Sequence, residues 1–82
     1  MVYKQGRYYM VVGAPDNRRD ISVEIYIDME QWAEVYDDNG PQVAEFYGRA
    51  CGKEWNIPLA DALDLLKRAS DELTRRPRKK KD

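Results

Sequence analysis

From Ile21 to Ile27 apolar and polar residues alternate strictly, with Ile21, Val23, Ile25 and Ile27 separated by Ser22, Glu24 and Tyr26. A period of two built on β-branched residues predicts a half-buried strand whose apolar row faces a core. Upstream, Arg7 to Val12 reads as another strand. It is ended by the turn formers Gly13-Ala14-Pro15-Asp16-Asn17, and the stretch up to Asp20 reads as a long hairpin loop. Downstream, Trp32 to Tyr36 and Gln42 to Tyr47 flank Asp37-Asp38-Asn39-Gly40. Asn-Gly between apolar runs signals a hairpin because both residues accept positive φ. A helix over Met29 to Tyr36 competes with the third of these strands. Met29, Trp32, Ala33 and Tyr36 fall at helical spacing, and Asp28 with Gln31 resembles a capping box. The strand is the preferred reading.

The pattern then changes period. Leu59, Ala62, Leu63, Leu66, Ala69, Ser70 and Leu73 follow i, i+3, i+4, i+7 spacing and form one stripe of an amphipathic helix. Pro58 suits the first turn. Asp61 and Asp64 lie near the positive end of the helix dipole, and Arg75 and Arg76 near its negative end. Pro77 disfavours helical geometry in the residue before it, so the helix is expected to end at Arg76. Trp55, just upstream, is expected to cover one end of the core. The fold class that results is α+β, an antiparallel meander of three to four strands packed on one C-terminal helix. Residues 1–76 are expected to form the single domain and residues 77–82 a disordered basic tail.

One short pattern recurs in three of the strands: Glu24-Ile25-Tyr26, Glu34-Val35-Tyr36 and Glu45-Phe46-Tyr47. Alternation along a strand sends each Glu and Tyr to one face and the apolar residue between them to the other. The helix is expected to cover Ile25, Val35 and Phe46. The opposite face then gathers Glu24, Tyr26, Trp32, Glu34, Tyr36, Glu45 and Tyr47 into a surface both acidic and aromatic.

Charge sharpens this picture. The chain of 82 residues has a net charge of −1, but the distribution is uneven. Residues 1–74 hold eight Lys or Arg against fourteen Asp or Glu, whereas Arg75, Arg76, Arg78, Lys79, Lys80 and Lys81 face only Asp82 in the last eight. An acidic body with a basic tail is the simplest description. A chain of this length buries only about 60% of its unfolded surface, so its core is small.

Several functions are excluded by residue type. The absence of His removes the commonest general base, the Ser-His and Cys-His nucleophile pairs and the commonest zinc ligand. Cys51 has no second cysteine for a disulfide. Arg49 and Lys53 stand near it, yet without a base to pair with it reads as an incidental thiol. Adjacent carboxylates at Asp37 and Asp38 lack the alternating twelve-residue spacing of a calcium loop. No glycine-rich loop opens a helix to cradle phosphate. The expectations are therefore no enzyme activity, no cofactor and no metal. With no apolar leader or membrane span in the sequence, the expected compartment is the cytoplasm.

The order of strands followed by one helix is similar in layout to small DNA-binding domains with a three-stranded sheet. Where such sheets present Arg and Lys, this one presents Glu24, Glu34 and Glu45. Stacked aromatics that read bases are paired with cations, and here they are paired with carboxylates. The expected partner is thus a protein, either a second copy of the chain or a cationic surface, bound through the Glu/Tyr face. An inhibitor or antitoxin-like regulator would be one form of it. The alternative is a nucleic-acid accessory protein anchored by Arg75, Arg76, Arg78, Lys79, Lys80 and Lys81, since such runs suit phosphate contacts. No small-molecule substrate and no membrane partner is indicated.

Overall fold

A computed structural model of the chain describes residues 3–13, 21–38 and 40–75. Strand β1 (Tyr3–Gln5) turns at Gly6 and Arg7 into β2 (Tyr8–Gly13), and β3 (Ser22–Ile27) turns at Asp28 and Met29 into β4 (Glu30–Asp37). β5 (Gln42–Phe46) follows, and the helix α1 (Leu59–Arg75) closes the domain. The strands pair in sequence order, all antiparallel. This is the expected α+β meander with one more strand than expected, because residues 3–5 pair with residues 8–10. Met29 to Tyr36 is not helical. The long loop expected up to Asp20 and the tail from Arg76 lie outside the described residues.

Cross-strand partners share a face. Met10, Ile25 and Ala33 are in register on one side, and so are Val23 and Val35. These residues and Ile27 are buried against Leu65, Ala69 and Leu73 of α1, which crosses β3 and β4. The alternation of β3 and the 3.6-residue stripe of α1 thus meet as one apolar layer. The helix starts as its sequence suggests. The Ala62 N–H donates to the Pro58 carbonyl at 3.0 Å, which makes Pro58 the residue that opens the first turn. Trp55 packs on the core from the connection before the helix, and its indole N–H donates to the Tyr47 carbonyl at 2.7 Å.

The helix does not cover all of that face. Phe46 is the cross-strand partner of Ala33, yet it is 57% exposed, because β5 is the outermost strand and α1 lies over β3 and β4. Trp32 also departs from expectation. Ile25 pairs with Ala33 but Tyr26 pairs with Gln31, so Trp32 is an extra residue at a register shift. Such a bulge re-aims a side chain. Trp32 is 7% exposed and meets the Phe46 ring edge-on, with centroids 5.4 Å apart.

The ends of the hairpins are tied together. Asp28 and Met29 both have positive φ, 53° and 71°, the backbone that a two-residue hairpin loop requires and that L-residues adopt at a cost. Arg7 holds this turn in place. Its guanidinium bonds the Asp28 carboxylate at 2.7 Å, and its carbonyl accepts the Asp28 N–H at 2.9 Å. That carboxylate raises the Arg7 pKa, chiefly through the hydrogen bond.

Candidate functional site

The face turned away from the helix is built by the same strands. Glu24 is the direct cross-strand partner of Glu34, and Glu34 of Glu45, so three carboxylates form a row across β3, β4 and β5. Like charges directly opposite one another destabilise a sheet. Here the row is laced by tyrosine hydroxyls two residues along each strand. Tyr26 donates to Glu24 at 2.9 Å, and Tyr36 donates to Glu45 at 2.8 Å. Tyr47 donates to Glu34 at 2.8 Å and to Glu45 at 3.2 Å. The three Glu-apolar-Tyr units therefore do place their Glu and Tyr side chains on one face.

The carboxylates and rings are packed more tightly than an open surface implies. Glu34, at the centre of the row, is 5% exposed, while Glu24, Glu45 and the three tyrosines are half-buried. Tyrosinate is correspondingly disfavoured. Burial, then the bond to Glu24, pushes the Tyr26 hydroxyl up to about 12. Tyr47 is raised further, by burial first and the bond to Glu34 second. Both hydroxyls thus remain donors across the neutral range, where the carboxylates need them.

Of the seven residues expected on this face, the structure brings six together: Glu24, Tyr26, Glu34, Tyr36, Glu45 and Tyr47. Trp32 is not among the exposed aromatics, since the bulge turns it against Phe46. Tyr9 joins them instead. It pairs with Tyr26 in register, and the two rings stack with centroids 4.7 Å apart and planes 2° from parallel. The alternation of Tyr9 with Met10 carried that signal in the sequence. Ser22 lies on the same face, fully buried, with no hydrogen-bond partner for its Oγ among the described residues. Of the tail residues expected to act electrostatically, Arg75 ends α1 and pairs with Glu72, whereas Arg76, Arg78, Lys79, Lys80 and Lys81 lie outside the described residues.

Comparison with protein-family models, with curated proteins and with solved structures finds no match. What the face can do follows from its own chemistry. Carboxylates accept charge-assisted hydrogen bonds from guanidinium and ammonium groups, and tyrosine rings offer cation–π faces to the same groups. Among the described residues, no group of three or more His, Cys, Asp or Glu is arranged to hold a metal ion. No described helix is long and apolar enough to cross a membrane.

A concave region lies between the β1–β2 hairpin and the first turns of α1, with a volume of about 580 Å³. Its charges already answer one another. The Tyr8 hydroxyl donates to Asp61 at 2.6 Å, Arg68 bonds Asp64 at 2.8 Å, and the Arg68 guanidinium lies 4.4 Å from the Tyr3 ring centroid. The bond to Asp61, more than burial, raises the Tyr8 pKa. These pairs pin the helix start to the sheet edge. Cys51 is exposed in the turn closed by the Gly52 N–H and the Arg49 carbonyl.

Proposed function

We propose that the chain is a non-enzymatic protein-binding module that engages a cationic protein surface through its Glu/Tyr face. The observation that carries this reading is the direct cross-strand row Glu24–Glu34–Glu45. Three acidic side chains in direct register run against the pairing that sheets favour, and such local violations concentrate where function requires them. Lys and Arg side chains laid across the row would relieve that repulsion while their stems cover the tyrosine rings. A regulator that fills the cationic groove of a nucleic-acid enzyme, with carboxylates in the place of phosphates, is the most specialised form of such a module.

The test is affinity capture followed by association and dissociation kinetics on the captured protein. Glu24→Lys combined with Glu45→Lys should slow association in a salt-dependent way, because exposed charge steers encounter. Glu34 is avoided, since reversing a buried charge would unfold the domain. Tyr36→Ala should instead speed dissociation and cost at least ~2 kcal/mol of binding if that ring anchors the partner. Face variants that bind like the wild type, alongside loss on neutralising Arg75 through Lys81, would reject the face and favour a tail-borne polyanion contact.

A further inference from the structure

We infer that the outer edge of β5 pairs with the same strand of a second copy of this chain, giving a two-fold dimer with one continuous sheet. The hydrogen-bond phase of β5 leaves one set of its backbone groups unpaired by β4. The Tyr47 N–H donates to the Trp32 carbonyl at 3.0 Å and the Asp38 N–H donates to the Pro41 carbonyl at 2.8 Å, so the odd-numbered residues of β5 point their backbone groups inward to β4. Alternation then points the N–H and C=O of Gln42, Ala44 and Phe46 outward. Among the described residues nothing pairs with them, because β5 ends the sheet.

This edge is self-complementary about Ala44. Antiparallel pairing with a second β5 sets Ala44 opposite Ala44 as a mutually bonded pair, and it sets Gln42 opposite Phe46 at both ends. Glu45 then falls opposite Val43 and not opposite another Glu45, so the pairing meets no like charge across its own strand. Pro41 does not blunt the edge, since its donor-less nitrogen shares the inward phase. The other edge of the sheet is protected as solitary edges usually are. β1 is only three residues long, carries Lys4, and has Arg68 of α1 laid over Tyr3.

Strand pairing over five residues falls short of the ~800 Å² per partner of a standard interface. The apolar residues beside β5 supply the remainder. Phe46 is 57% exposed, and Leu59 and Leu63 are 72% and 58% exposed on α1. These leucines share a helix row with Ser70 and Thr74, whose hydroxyls bond the Gln42 side chain at 2.5 and 3.2 Å, so the row runs along the β5 side of the helix. A copy joined at β5 covers these side chains. The Glu/Tyr face is left free, so this dimer stands or falls independently of cationic-partner binding.

Sedimentation of the full chain across a concentration series should show a dimer. Ala44→Pro removes the outward donor at the dyad without touching the β4–β5 ladder, and Phe46→Glu puts charge into the apolar row. Each should abolish the dimer with an unchanged circular-dichroism spectrum, whereas Glu24→Lys on β3 should leave it intact. Hydrogen exchange adds a readout without mutation. The Gln42, Ala44 and Phe46 amides should gain protection as concentration rises, and the Val43 and Glu45 amides should not. A wild-type chain that stays monomeric overturns the inference, as does a dimer that survives Phe46→Glu or dissolves with Glu24→Lys.

Discussion

The two faces of this sheet are made by the same strands, and they are stabilised by different physics. On the helix side, Met10, Val23, Ile25, Ile27, Ala33 and Val35 lose water against Leu65, Ala69 and Leu73. That attraction is non-directional and scales with apolar area. On the other side, one residue along each strand, carboxylates stand in register and each receives a tyrosine hydroxyl. The stabilisation there is directional: Tyr26 bonds the Glu two residues before it, whereas Tyr36 reaches across to Glu45 and Tyr47 to Glu34, so spacing sets the shared face and register sets the partner. A period-two alternation therefore encodes two layers at once, one apolar layer that holds the fold together and one polar layer in which acidic side chains stand in register under tyrosine hydroxyls.

The largest expected contrast between the layers comes from truncating their central side chains. Ile25 is fully buried at the middle of β3, and Ile25→Ala should cost about 2–5 kcal/mol in denaturant unfolding. Against a total stability on the order of 5–10 kcal/mol, that is a large share. Phe46 occupies the same sheet side but the outer strand, and in the monomer, at concentrations too low for β5 pairing, Phe46→Ala should cost about 1 kcal/mol or less, most of it the ring contact with Trp32. Equal losses at the two positions would mean that the core extends to β5.

That pair of positions also marks what was legible in the sequence. Ile25, Val35 and Phe46 occupy identical places in their Glu-apolar-Tyr units, and the pattern assigned all three to the helix. Periodicity fixes which face a residue takes, but it does not say how far across the sheet a single helix reaches. The helix itself and β3 were legible because each carries a long, regular repeat. β1 was not, since three residues cannot display a period and only its pairing with β2 reveals it. Trp32 was misplaced for a third reason. A one-residue bulge reverses the facing of everything on one side of it, and no feature of Gln31-Trp32-Ala33 announces it. The Glu/Tyr row was legible from the recurrence of its units, although the burial of Glu34 at its centre was not.

The polar layer should reveal itself in alkaline solution. The Tyr26 hydroxyl ionises only near 12 in the fold, above its ordinary value near 10, and Tyr47 is raised further. The folded state thus holds protons that the unfolded state releases, so this contribution to stability is complete below about pH 10 and is lost as pH rises through the folded values. Tyrosinate absorbance should show a late-titrating fraction among the six tyrosines, and the melting temperature should fall across the same window. Tyr26→Phe should remove part of the late fraction. A single titration step near the ordinary value would show that the hydroxyls do not lace the carboxylates.

The smallest effect is the most specific to the charge row, and its sign opposes that of most substitutions. Glu24→Gln keeps an oxygen where the Tyr26 hydroxyl donates, and it keeps the side-chain size, but it removes one of three charges in direct register. If the row is under tension, the variant should be more stable than the wild type by about 0.5 kcal/mol, a rise of a few degrees in melting temperature for a domain this size. The gain should shrink as salt is added, because half-buried carboxylates at the rim of the row are screened. The same substitution should slow association with a cationic partner, so stability and binding move in opposite directions. A destabilised Glu24→Gln would mean that the carboxylate is worth more to the fold than its repulsion costs. The row would then be a structural device that needs no partner to relieve it.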